Sequence, residues 1–378
     1  YYENIIWPLT NGIKLIGAGD SSTTIIDGSS LSSVILINPQ NTIIDSTTII
    51  DNIILRNGGN AYYGGGLTLL GANPKVLNTQ VISCSGQRAG GIYMSDCNAI
   101  LKHINIENCQ SDDDGGGISI FDSNLDLRYF TISHNESPFD GGGIYVQDSW
   151  VTISNGVLLD NSASQGGGLY LKGIWNNSNS ADLSEISIVH NTASQGGGLM
   201  ASSFNDLSIA KLNVIGNTDI NRGGGILIYG GNSSNIVSTN ILNNHSDQGG
   251  SGLHVVNGNG THGISSSNFA ENGDGIYSDY NFSAVNNYWG HNSGPYHPAQ
   301  NQLGGGDSVN FDVNITPWLT TPSIVAPPLP TQNLSVLGIG DDFINLEWDP
   351  SELGDFAGFK LYYDTDENGF PFASSVDV

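Results

Sequence analysis

A short glycine run returns along this chain every 23 to 30 residues, and that period limits the possible folds more than any other feature. The phrase ASQGGGL even occurs twice, from Ala163 and from Ala193. The runs lie at Gly64–Gly66, Gly90–Gly91, Gly115–Gly117, Gly141–Gly143, Gly166–Gly168, Gly196–Gly198, Gly223–Gly225 and Gly249–Gly252, with a weaker copy at Gly275. A fixed period of about 20–50 residues is typical of repeat proteins, in which each unit packs mainly on its two neighbours.

Short alternating segments surround each glycine run. After the run, apolar residues occupy every second position, as in Ile144–Val146 and Leu169–Leu171, and a second alternating segment precedes it. That second segment usually ends in asparagine, at Asn108, Asn135, Asn161, Asn191, Asn217, Asn244 and Asn272. Alternation is the period of a strand, and asparagine both tolerates a left-handed corner and stacks on its copies in ladders. Two or three short strands in each repeat therefore predict the coils of a parallel β-helix.

Over roughly residues 1–320, the repeat resembles the right-handed parallel β-helix proteins of the pectin-lyase-like superfamily. The unit of asparagine, glycine run and apolar residue is also similar to repeats of polymorphic outer-membrane adhesins. The resemblance implies an all-β solenoid. It implies no single function, because the superfamily includes lyases, hydrolases, epimerases, phage tailspikes and adhesins, and a fold alone does not choose among them.

The repeat gives way to a different segment at its carboxyl end. The motifs YWG at Tyr288 and TPWL at Thr316 are similar to the segment that follows many bacterial β-helices, which implies an aromatic cap containing Trp289 and Trp318. A proline-rich stretch follows, and the segment after it resembles the first half of a fibronectin type III domain. We therefore expect coils over residues 1–285, a cap over 286–322, a linker over 323–333 and a partial fibronectin type III-like β-sandwich over 334–378. Such a sandwich takes about 100 residues, so we expect the chain to stop inside a domain. We likewise expect it to start inside a first coil.

The composition is strongly acidic, with 36 Asp and Glu against 10 Lys and Arg and a net charge of −26. Such a surface repels nucleic acid and anionic lipid, and no apolar run is long enough for membrane insertion. We expect a secreted protein, extracellular or on a bacterial cell surface. Three cysteines are too few for a disulfide framework. Cys84 and Cys109 are 25 residues apart and are expected at one ladder position, as buried thiols or as a disulfide, whereas Cys97 has no such partner.

Catalytic candidates are few. The GHG and RIK motifs of the polygalacturonase branch are absent from the sequence. Arg222 is expected between Gln195 and Gln248 on neighbouring coils, either as a Brønsted base or as a solvated corner residue. His134 and His190 recur just before the corner asparagine, in a column with Glu107 and Asp160. They serve either acid–base chemistry or a polar surface.

Two aspartates, Asp114 and Asp140, are expected at the same corner of adjacent coils, with Asp112 and Asp113 beside them. Stacked carboxylates about 4.8 Å apart repel. They raise one pKa, as acid–base pairs do, share a Ca²⁺ ion through oxygen ligands, or splay apart as an exposed turn. Asp114 and Asp140 are thus candidates for both catalysis and Ca²⁺.

A column of side chains is expected to point outward from the strand after each glycine run: Thr68, Tyr93, Ser119, Tyr145, Tyr170, Met200, Leu227, His254 and Tyr277, with Phe121 and Tyr229 two places further on. An exposed aromatic strip marks a contact surface, although stacked rings also support a sheet or lie beneath a loop. The longest repeat predicts a projecting loop over residues 172–182 that presents Trp175 as a contact residue.

These patterns predict an adhesin or scaffold that binds a polysaccharide or cell-surface glycan, or copies of itself. The alternative is a secreted polysaccharide lyase or glycoside hydrolase acting on an acidic polysaccharide. A flat ladder favours the first function, and a cleft of converging acidic or basic groups favours the second.

Overall fold

The computed structural model describes residues 1–19, 24–173, 179–256, 260–329, 332–339, 344–349, 360–363 and 374–377. These residues form a parallel β-helix of about ten coils, and strands are the only regular elements among them. The all-β solenoid predicted from the glycine period is therefore confirmed. No helix in the described ranges is long and apolar enough to cross a membrane.

The strands that follow the glycine runs stack in register into one parallel sheet, which we call sheet 1. Its strands are Ile5–Ile6, Ile35–Ile37, Leu67–Leu70, Ile92–Ser95, Ile118–Phe121, Ile144–Gln147, Leu169–Lys172, Leu199–Ser202, Ile226–Tyr229, Leu253–Val256, Asp274–Ser278, Pro295–Tyr296 and Gly306–Val309. In the four-residue strands from Leu67–Leu70 to Leu253–Val256, the first and third residues point into the coil, and both are almost fully buried. Each buried Ile or Leu contributes about 1.5–3 kcal/mol relative to an exposed one.

The segments that precede the glycine runs form a second parallel sheet, sheet 2. Its strands are Lys14–Ile16, Ile25–Asp27, Ile49–Asp51, Ile54–Arg56, Lys75–Ile82, Asn98–Glu107, Asn124–Ser133, Trp150–Leu159, Ser180–Val189, Asp206–Ala210, Asn213–Ile215, Ser233–Val237, Asn240–Leu242, Thr261–Ser265, Asn268–Ala270, Phe282–Ser283 and Val313–Asn314. A third side of the coil has only two-residue strands, at Ser85–Gly86, Gln110–Ser111, Thr192–Ala193, Thr218–Asp219 and His245–Ser246.

The longest strands of sheet 2 bend at a single residue with positive φ. That residue is His103 in Asn98–Glu107 and Tyr129 in Asn124–Ser133, with φ of 55° and 56°. The register of these two strands resumes on both sides of the bend. One left-handed residue therefore turns a corner without ending the hydrogen-bonded ladder.

The run Gly166–Gly168 shows why glycine recurs at the corner before sheet 1. Gly166 has φ of 61°, and a Cβ there would lie 2.6 Å from the Cβ of Tyr170. A Cβ on Gly167 would lie 2.4 Å from the carbonyl oxygen of Thr192 on the next coil. Only glycine allows both the left-handed turn and such close approach of stacked backbones. The two ASQGGGL copies occupy the same corner of adjacent coils, because Gln165 pairs with Gln195.

A buried asparagine ladder runs along the corner between sheet 2 and the third side. It consists of Asn135, Asn161, Asn191, Asn217, Asn244 and Asn272, in each of which Nδ2 donates to the acceptor on the next coil. The distances between asparagines are 3.0–3.1 Å. The last amide donates to Asp307 Oδ2 at 2.7 Å, so a carboxylate terminates the stack. The predicted ladder is confirmed for these six residues.

Asn108 does not belong to this ladder, which corrects one expectation. Glu107 pairs with Ser133, so Asn108 corresponds to His134, and both residues have positive φ. The ladder position on that coil belongs to Cys109, whose N–H donates to Asn135 Oδ1 at 2.9 Å. In the sequence Glu107-Asn108-Cys109, the ladder position therefore lies one residue later than the asparagine pattern predicted.

The three cysteines are free thiols, and all are buried. Cys84 and Cys109 lie in adjacent coils in line with the asparagine ladder, as their spacing predicted, and no disulfide joins them. They replace asparagine with a small apolar residue in a stack that has no access to water.

Aromatic residues close the far end of the coil interior. Trp289 is fully buried and stacks on Phe269, with ring centroids 4.6 Å apart. Trp318 packs partly buried against the same core, above Gly294. These positions agree with the cap expected from the YWG and TPWL motifs, and the burial covers an apolar cross-section that would otherwise favour association.

Residues 323–329, which we call the strap, are fixed on the outer face of sheet 2. Three outward asparagines, Asn213, Asn240 and Asn268, form a second ladder there with Nδ2–Oδ1 distances of 2.8 Å. Each also donates to the strap, to the carbonyl oxygens of Pro328, Pro327 and Ser323, at 3.0, 2.8 and 3.3 Å respectively.

Apolar packing adds to these hydrogen bonds. Leu329 of the strap packs on a small cluster formed by Ile215 and Leu242, which face away from the coil interior. The proline-rich segment expected as a linker over 323–333 is therefore bound to the β-helix over its first seven residues. Prolines have no N–H to pair with a strand, so side-chain amides hold the strap by its carbonyl groups instead.

Beyond the strap, the described residues form two antiparallel strand pairs. Gln332–Ile339 pairs with Ile344–Asp349, and Lys360–Tyr363 pairs with Ser374–Asp377. The fibronectin type III-like β-sandwich expected over 334–378 stays a prediction.

Candidate binding face

The outer face of sheet 1 carries the column of side chains that the sequence predicted. Tyr93 pairs with Ser119, Ser119 with Tyr145, and Tyr145 with Tyr170, on successive coils. The same register continues through Met200, Leu227, His254 and Tyr277. These side chains point away from the main core. Outside that core, a second apolar cluster is formed by Tyr145, Tyr170, Met200, Leu227 and Val256.

Most of this column is covered, which differs from the exposed strip expected. Tyr145 and Tyr170 are 0% and 3% exposed, and only Tyr229 and Tyr277 reach 36% and 38%. On six successive coils the corner itself contributes to this cover, because a left-handed glycine brings its turn against the residue four positions later. These glycines are Gly115, Gly141, Gly166, Gly196, Gly223 and Gly250. Alternation predicts the side to which a residue points, and this turn then decides whether water reaches it.

Aromatic rings nevertheless form one continuous line, which we call the aromatic row. Its members are Tyr62, Tyr63, Tyr93, Phe121, Tyr145 and Tyr170, with successive ring centroids 4.8, 5.0, 5.5, 5.4 and 5.7 Å apart. The rings of Tyr145 and Tyr170 lie next to each other on adjacent coils, and they meet edge-on at 62° rather than as a parallel stack. Tilted and edge-on aromatic pairs at such distances contribute about 0.5–1.5 kcal/mol beyond their buried area.

Two cations lie over the row. The guanidinium of Arg88 lies 5.9 Å from the ring of Tyr62 and 6.0 Å from that of Phe121. Lys172 Nζ lies 5.8 and 5.9 Å from the rings of Tyr145 and Tyr170. Ring faces attract cations, so two of the ten basic residues of this acidic chain stand on one aromatic line.

The row opens to solvent at one end. Tyr62 is 55% exposed, and its ring stands at 86° to that of Tyr63, so the two rings make a corner. The Arg88 guanidinium lies over the Tyr62 ring at this corner, and the polar side chain of Tyr62 raises the pKa of the guanidinium. Phe121 is half-buried two coils further along.

Sequence reasoning missed Tyr62, Tyr63 and Arg88. The signal was the pair of tyrosines directly before the first glycine run, in "AYYGGG". The corner places this position next to the outward column, because Tyr63 pairs with Arg88 through their backbones. The prediction from the sequence used only the residues after each glycine run. It therefore left out the residues before the run, such as Tyr62 and Tyr63.

The corner carboxylates Asp114 and Asp140 lie on adjacent coils as predicted, with the N–H of Gly115 bonded to the carbonyl of Asp140. Burial, together with the charges of Asp140 and Asp113, raises the pKa of Asp114 to about 7. Asp140 is 7% exposed and lies 3.5 Å from Lys172 Nζ. Burial raises the pKa of Asp140 as well, and the ammonium of Lys172 opposes that rise.

This corner resembles an acid–base pair more than a preformed metal centre. In the described part of the chain, no three His, Cys, Asp or Glu side chains converge as metal ligands do. Asp112 is exposed, and Asp113 is half-buried. Binding of Ca²⁺ by Asp112, Asp113, Asp114 and Asp140 stays a prediction.

Buried tyrosines lie beneath the same corner. Burial and the nearby charges of Asp114 and Asp140 raise the pKa of Tyr145, and burial raises that of Tyr170 to about 12. The hydroxyl of Tyr145 donates to Gln147 Oε1 at 2.8 Å. Both phenols therefore keep their protons at neutral pH and act as hydrogen-bonding groups.

The remaining candidates lie elsewhere. Arg222 is level with Gln195, as predicted, but the next coil places Gly249 there, and Gln248 instead donates to Asn221. The run "QGGSG" carries one more residue before its strand than "RGGG" does, which shifts Gln248 out of the column.

The histidine column is partly confirmed. His134 and Asp160 lie on adjacent coils with half-exposed side chains, 3.6 Å apart, and His190 follows on the next coil. Asn108 takes the place expected for Glu107, for the register reason given above. The column stands on the outside of a corner, away from the aromatic row.

The loop expected over 172–182 is shorter than predicted. Lys172 ends a strand of sheet 1, and Ser180 begins a strand of sheet 2 that includes Asp182. Trp175, the contact residue expected in this loop, lies outside the described residues.

Comparisons with protein-family models, with curated proteins and with solved structures give no match to this chain.

Proposed function

We propose that the chain is an extracellular β-helix protein, an adhesin or scaffold that binds glycan at the open end of the aromatic row. The proposal includes the right-handed, pectin-lyase-like type of coil and a fibronectin type III-like terminal module. The acidic composition, rich in Asn, Ser, Thr and Gly, supports an extracellular location. The observation that carries the proposal is the exposed corner of Tyr62 and Tyr63, continued by Phe121 and held by Arg88.

Exposed aromatic rings bind the apolar faces of sugars, while nearby polar groups bond their hydroxyls. The exposed rings of the row, from Tyr62 to Phe121, span three coils that rise by about 4.8 Å each, so several sugar rings of one oligosaccharide could contact them. Aromatic side chains with apolar faces and a polar tip are typical of binding surfaces. The buried rings of Tyr93, Tyr145 and Tyr170 keep the exposed rings in place.

A glycan array tests this function with single variants. Tyr62→Ala should weaken glycan binding at least about tenfold, because aromatic hot spots are worth about 2 kcal/mol or more. Tyr296→Ala is the matched control, since Tyr296 is 45% exposed but lies in the cap. This variant should bind glycan with the affinity of the wild type. Equal binding by both variants would move the site away from the row.

Self-association is the other outcome of this test. Sedimentation of the wild type and the two variants over a range of concentrations reports it directly. Assembly that is lost with Tyr62→Ala, without binding to any glycan, would identify a second copy of the chain as the partner.

A polysaccharide lyase or hydrolase is the second candidate, favoured by the unequal pair at the corner. Asp114 keeps a proton near neutral pH, while Lys172 favours the charged form of Asp140. Two carboxyl groups whose pKa values are pushed apart can serve as acid and base. A reducing-end assay on polysaccharides tests it, with Asp114→Asn and Asp140→Asn expected to abolish product. Activity that survives both substitutions would exclude this corner.

Calcium is part of the same proposal. If Asp114 and Asp140 share a Ca²⁺ ion, millimolar Ca²⁺ should raise the melting temperature, because binding to the native state alone stabilises it. Asp114→Asn should remove that rise, and Mg²⁺ at equal concentration serves as the control. An unchanged melting temperature in Ca²⁺ would leave the corner as an acid–base pair.

A further inference from the structure

Acidic side chains border the aromatic row on both sides. Along the corner lie Asp113, Asp114 and Asp140, as described above. Along the other side, the residue after each strand of sheet 1 is again acidic on three successive coils, at Asp96, Asp122 and Asp148. All three have positive φ, which places their carboxylates in one line. Burial and the negative charges of Asp148 and Asp96 raise the pKa of Asp122, so the three carboxyl groups interact with one another.

The two cations of the row offset only part of this charge. Lys172 is paired with Asp140, and Arg88 lies over the ring of Tyr62, where the charge of Asp113 acts on it. Six carboxyl groups therefore border a row that carries two basic residues, on a chain with a net charge of −26. Clefts lined with one sign of charge repel ligands of that sign over several ångströms.

From this charge we infer that the ligand of the aromatic row is an uncharged polysaccharide. The inference rests on the proposed glycan binding and names the class of glycan. Rings provide stacking for the apolar faces of the sugars, and carboxylates accept hydrogen bonds from their hydroxyl groups. A polyuronate would bring its own carboxylates into the excess of negative charge that remains along the row. The acidic polysaccharide considered for the enzyme alternative is thus a poor fit for this face.

Calorimetric titration of the full chain tests the inference. The uncharged probes are the hexasaccharides of glucose, mannose and xylose in β-1,4 linkage, and the charged probe is hexagalacturonate. At about 10 mM salt, where the screening length is about 30 Å, at least one uncharged hexasaccharide should bind at least about tenfold more tightly than hexagalacturonate. The affinity for the uncharged probe should not change at higher salt.

A paired variant separates charge from folding. Asp96→Asn with Asp122→Asn removes two carboxylates and keeps a residue that tolerates positive φ. The variant should bind hexagalacturonate several-fold more tightly than the wild type and bind the uncharged probe as before. Tyr62→Ala should weaken binding of the uncharged probe and leave the affinity for hexagalacturonate unchanged.

The outcomes distinguish the two claims. If hexagalacturonate bound as tightly as the uncharged probes, in EDTA or in Ca²⁺, the inference would be overturned. The proposed glycan binding would remain. No binding of any hexasaccharide, by wild type or variants, would overturn the proposed function itself.

Discussion

Asp114 lies at a site with little water and with two like charges nearby, and its pKa of about 7 is the consequence. In the unfolded chain the same carboxyl group has a pKa of about 3.9. Between these values the unfolded chain loses the proton while the folded chain keeps it. Stability from this group is complete at acid pH and is lost as the pH rises toward 7.

Asp114→Asn should therefore stabilise the protein more at pH 8 than at pH 4.5. The substitution removes the cost of ionising a half-buried carboxyl group and keeps its shape. Chemical unfolding of wild type and variant at several pH values measures the difference, which should grow up to about pH 7 and then stay level. Asp45→Asn is the control, because hydrogen bonds from Thr47 lower the pKa of Asp45 and keep it charged throughout this range. A difference for Asp114→Asn that is the same at every pH would contradict the raised pKa.

Each asparagine of the buried ladder serves several partners at once. Asn191 donates to Leu158 and Asn217, and it accepts from both the N–H and the Nδ2 of Asn161. The ladder is a chain of aligned amides that ends on the charge of Asp307. A gap in it leaves buried donors without acceptors, and such groups are expensive.

Asn191→Ala should lower the free energy of unfolding by about 2–4 kcal/mol, since at least two buried groups lose a partner. Asn124→Ala, at an exposed position of sheet 2, should change it by less than about 0.5 kcal/mol. Denaturant unfolding of both variants makes the comparison. Equal stability of the two would mean that the ladder is held by the backbone alone.

At the scale of elements, the strap joins parts of the chain that are far apart in sequence. Its contact between Asn213 and Pro328 spans 115 residues. The amide of Ser323 donates to Asn268 Oδ1 at 2.6 Å and reports on attachment, because the prolines nearby have no amide proton. Leu329 supplies the apolar part of the contact, on Ile215 and Leu242.

Leu329→Asp should release the strap without unfolding the coils. A charge placed against two buried apolar side chains is unfavourable, so local opening becomes frequent. Hydrogen exchange at the Ser323 amide should then accelerate at least about tenfold, which is 1.4 kcal/mol of local stability. Leu303→Asp, at a site 91% exposed in the cap, should leave that rate unchanged. Unaltered exchange in the Leu329 variant would show that the asparagines suffice.

Periodicity predicted the strands well, and it could not predict what covers them. Ile144–Gln147 and Asn124–Ser133 follow from alternation and spacing, because a repeated coil must bury the same positions each time. The burial of Tyr145 depends on the left-handed turn at Gly141, whose direction no alternation encodes. In the sequence, Asn213 cannot be told from an ordinary surface asparagine, because its contact is with the strap, far away along the chain. The open ring corner at Tyr62 lies before the run rather than after it, so a search of the strands overlooked it.

At the scale of the molecule, one charge sign dominates. The net charge of −26 is spread over a solenoid whose coils repeat acidic positions in columns, as at Asp96, Asp122 and Asp148. Coils about 4.8 Å apart place such residues well inside a screening length. Self-repulsion opposes the compact state of a highly charged protein.

Added salt should therefore stabilise the protein. Raising NaCl from about 10 to 150 mM shortens the screening length from about 30 to 8 Å, and the melting temperature should rise by several degrees. Sucrose at equal osmolality serves as the uncharged control for the NaCl series. A melting temperature that falls with salt would mean that favourable ion pairs outweigh the repulsion.

The course of the strap has a mechanical meaning. The strap starts at the coil of Asn268 and runs back past Asn240 to Asn213, against the direction in which the coils advance. Tension on the residues after Leu329, directed beyond the cap, would peel the three rungs one at a time, and each step would require little force. Tension directed toward the first coils would load all three rungs together in shear. The same attachment is thus weak to one direction of pull and strong to the other.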